Sequence, residues 1–124
     1  MAVSLEQLAR ANQKSLDLLN AQVEELENKK NGLPASEQVI ALAAISDLQT
    51  QIRALEITQR SLGTSRIVVP FDDSEAAQLQ RLEGVLGSFI RQNSTVHAML
   101  ASISPVMTAA DQINTLILSH TMRA

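Results

Sequence analysis

The chain has 124 residues, 45% of them hydrophobic and 19% charged, with a net charge of −3 and no cysteine. This length and composition suit one domain with a substantial core rather than a disordered chain, and the absence of cysteine excludes disulfides and thiolate metal sites. The acidic balance argues against nucleic acid as a partner, because phosphate binding needs a basic surface.

A first helix is predicted over residues 4–31. Ser4 and Gln7 have the spacing of a capping box at its start. The apolar residues that follow alternate spacings of three and four, which places them on one helical face. Asn31-Gly32 predicts a left-handed stop at its end. The predicted face consists of Leu5, Ala9, Asn12, Leu16, Leu19, Val23 and Leu26.

A second helix is predicted over residues 35–62, because Pro34 is favoured at a helix start and Gly63 at a helix stop. The connection to the first helix is so short that the two should form an antiparallel hairpin with nearly equal arms of roughly 40 Å. Its predicted face consists of Ala41, Ile45, Leu48, Ile52, Leu55, Gln59 and Leu62.

Residues 63–72 form the predicted linker. Fully extended, residues 64–72 reach roughly 30 Å, less than the length of the second helix. The third helix should therefore start at the end of the bundle where the second one stops, in an up-down-up order. The β-prone run Ile67–Phe71 is predicted to pack across this end, and the alternative is an edge that accepts a partner strand.

The remaining helical segments are predicted over residues 73–103 and 105–122, with Asp72 and Glu75 as a second capping box. The same apolar rhythm continues in phase past Pro105, which favours a kink or short break with the axis running onward. A clean reversal of the chain is the alternative. The predicted fold is thus a single all-α domain over residues 1–124, an antiparallel bundle of three long helices with the third broken near Pro105 (a three- to four-helix bundle).

No group of residues supports catalysis. There is no Glu-x-x-His and no pair of histidines four residues apart, so His97 and His120 are interpreted as plain polar residues. Gly84 and Gly87 match no phosphate-binding loop pattern and are predicted to allow a close approach of helices. We therefore expect no enzymatic activity, no cofactor and no bound metal.

Polar residues interrupt the predicted apolar faces. A buried Asn in a helical seam can fix register and oligomeric state at some cost in stability. The alternative is that these residues lie near open ends or against water. They are Asn12, Gln59, Asn93 and Asn114.

The last third of the chain is poor in charge: from Gly84 to Met122 the charged residues are Arg91 and Asp111. Its apolar residues also spread beyond one helical face, which is typical of a helix contacted on several sides. We expect this region to be an assembly surface, and the alternative is a helix shielded by the chain's own arms. The expected interface residues are Leu86, Phe89, Ile90, Asn93, Val96, Met99, Leu100, Ile103, Met107, Ile113 and Ile117.

These features favour a non-enzymatic helical bundle with a structural, adaptor or inhibitory role, acting as a homo-oligomer or on a larger protein partner. One alternative is peripheral binding to a lipid or other hydrophobic surface, as in pore assembly; another is a small DNA-linked regulator, which the acidic charge disfavours. The absence of a basic n-region, an apolar h-region and a spanning-length apolar stretch predicts a cytoplasmic protein. Partner identity, stoichiometry and pathway are left open by the sequence.

Overall fold

The computed structural model describes residues 3–92, 95–101 and 103–123. Within these ranges the chain is mostly helical, with five α-helices and a two-stranded ribbon. In chain order the elements are α1 (Leu5–Lys29), a 3-10 turn (Lys30–Gly32), α2 (Ala35–Leu62), β1 (Ser65–Ile67), α3 (Asp73–Gln92), α4 (Val96–Ala101), α5 (Ile103–His120) and β2 (Thr121–Arg123).

The start of α1 is the predicted capping box. The Ser4 hydroxyl accepts the Gln7 N–H at 3.2 Å, and the Gln7 side chain accepts the Ser4 N–H at 2.8 Å. The predicted left-handed stop at Asn31-Gly32 is wrong, since no described residue has a positive φ. The helix instead tightens into the 3-10 turn, where the Leu33 N–H donates to the Lys30 carbonyl at 3.1 Å, and such turns are common at helix ends.

Helices α1 and α2 pack against each other as the predicted hairpin, here called the first hairpin. Each buried leucine side chain contributes on the order of 2 kcal/mol through removal of apolar surface from water. The leucines of this hairpin that are fully buried are Leu8, Leu19, Leu26, Leu48 and Leu55.

The predicted helix over residues 73–103 is wrong, because α3 ends at Gln92 and α4 and α5 follow as separate helices. Pro105 does not mark the break. It lies in the first turn of α5, which begins at Ile103 and where a missing N–H leaves no helical bond unmade. The continuous apolar rhythm was misleading because α3 and α5 each bury a face of their own against the same core.

The chain reverses between α3 and α5. His120, the last residue of α5, lies 2.6 Å from the carboxylate of Glu75 in the first turn of α3. The two helices pack together in opposite directions and form the second hairpin. The reversal that the sequence left open is therefore the observed arrangement, placed before Ile103 rather than at Pro105.

Side-chain contacts within the first hairpin and between the two hairpins define the direction of every long helix. Asn12 in the first half of α1 donates to the Leu55 carbonyl in the second half of α2, and Thr58 of α2 contacts Asn114 of α5. The starts of α1 and α3 therefore share one end of the bundle with the ends of α2 and α5. This confirms the predicted up-down-up order, with α5 running down beside α2.

The linker accepts a strand, and the strand comes from the same chain. β1 pairs with β2 in antiparallel register, Arg66 opposite Met122. The amides of Val68 and Val69 then donate to the His120 carbonyl at 2.9 and 3.3 Å. The prediction of a helix to residue 122 is wrong, because α5 stops at His120 and the residues that follow it form β2 of the ribbon.

Candidate functional site

The described residues of the predicted assembly surface lie inside the fold. Leu86, Met99, Ile113 and Ile117 are buried. Leu100, Ile103 and Met107 are partly buried and pack against the core. Asn93 lies outside the described residues, as do the side chains of Phe89, Ile90 and Val96.

The inner face of α5 is covered by the chain itself. Val106, Ala110, Ile113 and Ile117 are all 0% exposed, packed within the core that both hairpins build. The alternative to an assembly surface, a helix shielded by the chain's own arms, therefore accounts for the burial of this face. Any assembly surface on the second hairpin has to use its opposite, solvent-facing side.

That solvent-facing side contains a shallow groove between α3 and α5, here called the outer groove, with a volume of about 400 Å³. None of the described residues that line it is charged. The lining residues are Leu82, Val85, Ser104, Pro105, Thr108, Ala109 and Gln112.

Gly84 and Gly87 lie on α3. A Cβ added at either glycine would meet nothing within 4 Å, so these glycines do not allow the close approach of helices that was predicted within the chain.

Buried polar side chains link the helices across the core. Asn12 is fully buried, and its amide donates to the Leu55 carbonyl at 2.9 Å and to the Gln59 side chain at 2.7 Å. Buried Thr58 contacts Asn114 on α5. These contacts form only at one relative height of the helices, so they hold the register of the bundle.

Gln22 is a buried polar residue that the sequence interpretation missed. It is 2% exposed, and neither its amide nitrogen nor its amide oxygen has a hydrogen-bond partner among the described residues. A spacing signal was present, because Gln22 lies three residues after Leu19 and four before Leu26 on the buried side of α1. An unsatisfied buried amide lowers the stability of the folded state.

His120 holds the ribbon end of the bundle together and is not a plain polar residue. Its ring is 4% exposed, Nδ1 lies 2.7 Å from the Val69 carbonyl, and Nε2 lies 2.6 Å from the Glu75 carboxylate. Since a carbonyl oxygen only accepts, Nδ1 donates to Val69. The ring also stacks on buried Phe71, with centroids 4.0 Å apart.

This His120 cluster is a structural tie between three parts of the chain. It joins the end of α5, the linker and the first turn of α3, where the Glu75 N–H donates to the capping carboxylate of Asp72 at 2.7 Å. A His–carboxylate pair can serve acid–base catalysis, but the imidazole of this pair is buried and stacked on Phe71, whereas the Glu75 side chain is partly exposed. No local pattern predicts this cluster, because the contacts of His120 span 45 and 51 residues.

A cleft separates the first halves of α1 and α3, here called the α1–α3 cleft, with a volume of about 310 Å³. Burial raises the pKa of the Glu83 carboxyl above its ordinary value, and the nearby Lys14 ammonium opposes this rise. Basic and apolar side chains thus meet in one recess. The lining residues are Val3, Gln7, Arg10, Ala11, Lys14, Ala76, Leu79, Gln80 and Glu83.

Metal binding and similarity to known proteins add no functional assignment. Across the described residues no cluster of His, Cys, Asp or Glu is arranged to hold a metal ion, and no described helix is long and apolar enough to cross a membrane. No protein-family model matches the chain, and no curated protein or solved structure matches it either.

Proposed function

We propose that this protein is a non-enzymatic helical bundle that works by self-association, through the outer groove of its second hairpin. The observation that carries the proposal is the absence of charge from the described lining of that groove. The chain has ten basic and thirteen acidic residues, yet none of them is among the described residues that line the groove between α3 and α5. A solvated helical hairpin usually presents charged residues at such a face.

A second copy of the chain is the partner that this surface suits. In a two-fold dimer the same patch meets itself, so every charge on it faces its own like charge or a near neighbour. A neutral patch of Ser, Thr, Gln and small apolar residues avoids that repulsion. A highly charged partner would instead have to lose hydration of its ionic groups without gaining an opposite charge.

The size of the surface predicts a weak dimer. α5 has 18 residues and is therefore about 27 Å long. Two helices side by side, about 10 Å apart, give a face of at most roughly 500 Å² per chain, or about 1,000 Å² for both copies, and the uncharged outer groove is one part of that face. This is near the lower limit for specific interfaces, so we expect dimerisation at micromolar rather than nanomolar concentrations.

Analytical ultracentrifugation between about 1 and 300 μM tests the proposal. A charge placed in the groove by Thr108→Glu should shift the equilibrium toward monomer, because the two-fold brings two carboxylates together. Thr50→Glu is the matched control, since Thr50 is also an exposed helical threonine but lies on α2. We expect the control to dimerise like the unmodified chain, with both variants melting within a few degrees of it.

Two results would contradict the proposal. A strictly monomeric unmodified chain over the whole concentration range would remove self-association. Equal dimerisation of Thr108→Glu and Thr50→Glu would place the interface elsewhere on the molecule.

A further inference from the structure

The α1–α3 cleft has an apolar floor of small side chains. Ala11 is 3% exposed and Leu79 is 5% exposed, and Ala76 between them is half-buried. The volume of about 310 Å³ lies at the lower end of the range for small-molecule sites. The recess is too small for a helix and suits a molecule of about ten non-hydrogen atoms.

The wall of the cleft on α1 is basic. Arg10 and Lys14 are four residues apart, so their side chains leave the same face of the helix one turn apart. Arg10 contacts Glu6 at 3.1 Å through one nitrogen, in a pair that is largely exposed. A guanidinium has five N–H donors, so this contact leaves others for a ligand.

The far wall carries Glu83, whose partly buried carboxyl is the acidic group among the residues lining the cleft. Burial raises the pKa of Glu83, while Lys14 lowers it. Among the residues that line the cleft, Arg10 and Lys14 face a single carboxyl, an excess of one positive charge. Glu6, which pairs with Arg10, lies outside this lining, and the exposed pair is screened by water. An incoming anion is therefore complementary to the basic wall, and an incoming cation is not.

From the apolar floor and the basic wall together we infer that the α1–α3 cleft binds a small amphipathic anion, an alkyl or aryl carboxylate or sulfonate. Its head group lies between Arg10 and Lys14, and its apolar tail covers Ala11, Ala76 and Leu79. A head group alone would leave the floor in contact with water. An apolar molecule without charge would cover the floor but make no ion pair with Arg10 or Lys14.

NMR titration of the ¹⁵N-labelled protein with 1-octanesulfonate tests this inference, because the ligand stays ionised at every working pH. We expect saturable shifts of the Ala11, Ala76 and Leu79 amides in the sub-millimolar to millimolar range, as expected for a ligand of this size. 1-Octanol and octyltrimethylammonium should bind at least fivefold more weakly, and methanesulfonate should cause no saturable shift. Equal binding of the cationic and anionic ligands would overturn the inference, as would shifts confined to other parts of the chain.

Substitutions separate the two halves of the site. Lys14→Gln should weaken octanesulfonate binding about fivefold, the effect of one solvent-accessible ion pair, and leave octanol binding unchanged. Lys29→Gln is the matched control on the same helix, because Lys29 pairs with Glu25 at 3.2 Å away from the cleft. Ala76→Leu should fill the floor and abolish binding of both ligands with the fold retained, as judged by the amide spectrum.

The outer groove and the α1–α3 cleft use different sides of the bundle, so their tests are independent. Thr108→Glu should bind octanesulfonate with unchanged affinity, whether or not it alters dimerisation. Equal binding by Lys14→Gln and Lys29→Gln would refute the basic head-group site even if dimerisation through the outer groove were established.

Discussion

Replacing Gln22 by Met should stabilise the protein, because Gln22 brings an unsatisfied amide into the core. The side chain is 2% exposed, and its nitrogen and oxygen both lack partners among the described residues. Met has the same unbranched shape as Gln through its first three side-chain positions and a similar helix propensity. The substitution therefore changes polarity with little change in shape or backbone preference.

The magnitude follows from the state of this one amide. A buried polar group without a hydrogen bond costs about 1–3 kcal/mol in proteins, and a neutral thioether removes that cost while keeping the apolar contacts. We expect the free energy of unfolding to rise by about 2 kcal/mol. For a domain of this length each kcal/mol shifts the melting temperature by about 3–4 °C, so the expected rise is about 7 °C.

Thermal and urea unfolding followed by circular dichroism at 222 nm measure this change. Gln13→Met is the matched control, because Gln13 is exposed on the same helix and its amide donates to Asp17 at 2.9 Å. The control should change stability by less than about 0.5 kcal/mol. An unchanged or lower melting temperature for Gln22→Met would mean that the amide has partners, such as internal water, that satisfy it.

Two further substitutions test the polar groups at the ribbon end of the bundle and in the α1–α3 cleft. His120→Ala removes the hydrogen bonds to Val69 and Glu75 and should lower the free energy of unfolding by about 2–3 kcal/mol, measured by urea titration. A loss below about 0.5 kcal/mol would show that the His120 cluster does not hold the chain together. Burial raises the pKa of Glu83 above its ordinary value of 4.5, although Lys14 opposes the rise. The folded state therefore holds the carboxyl proton more tightly than the unfolded state does. The stability that this proton contributes is lost as the pH rises through the pKa of the folded state. Glu83→Gln should therefore raise the melting temperature, relative to the unmodified chain, more at pH 7 than below pH 4.5. An identical pH dependence in the variant and the unmodified chain would contradict this placement.

The helix starts were predictable because their signals act within one turn. Ser4 with Gln7 and Asp72 with Glu75 form the capping bonds that their spacing predicts. Pro34 precedes α2 for the same local reason, since its fixed φ and missing N–H suit a helix start. The linker length then decided the end of the bundle at which α3 begins.

The division of the predicted third helix could not be obtained from spacing. The apolar rhythm on either side of Pro105 is in phase, and a continuous helix satisfies it as well as two helices do. The difference lies in which surfaces each segment covers. α5 buries Val106, Ile113 and Ile117 against the first hairpin, and a straight extension of α3 would carry these residues away from that core.

The charge distribution led us to expect that the last third of the chain is covered, without indicating which side receives the cover. The chain's own helices cover the inner face of α5, and the described lining of the outer groove is neutral and faces solvent. Residues expected at an interface, such as Leu86 and Ile113, are core residues for this reason. Apolar spacing identifies which residues avoid water, whereas it does not distinguish a contact within the chain from one between chains.

The sequence by itself determined the mainly helical content, the starts of α1, α2 and α3, and the first hairpin, because capping, proline geometry and apolar spacing depend on neighbours within a few residues. Only the tertiary structure decided the reversal into α5, the pairing of β1 with β2 and the burial of His120 and Gln22. These features depend on residues that are far apart along the chain. Their energies come from packing and hydrogen bonding between elements, which no local pattern encodes.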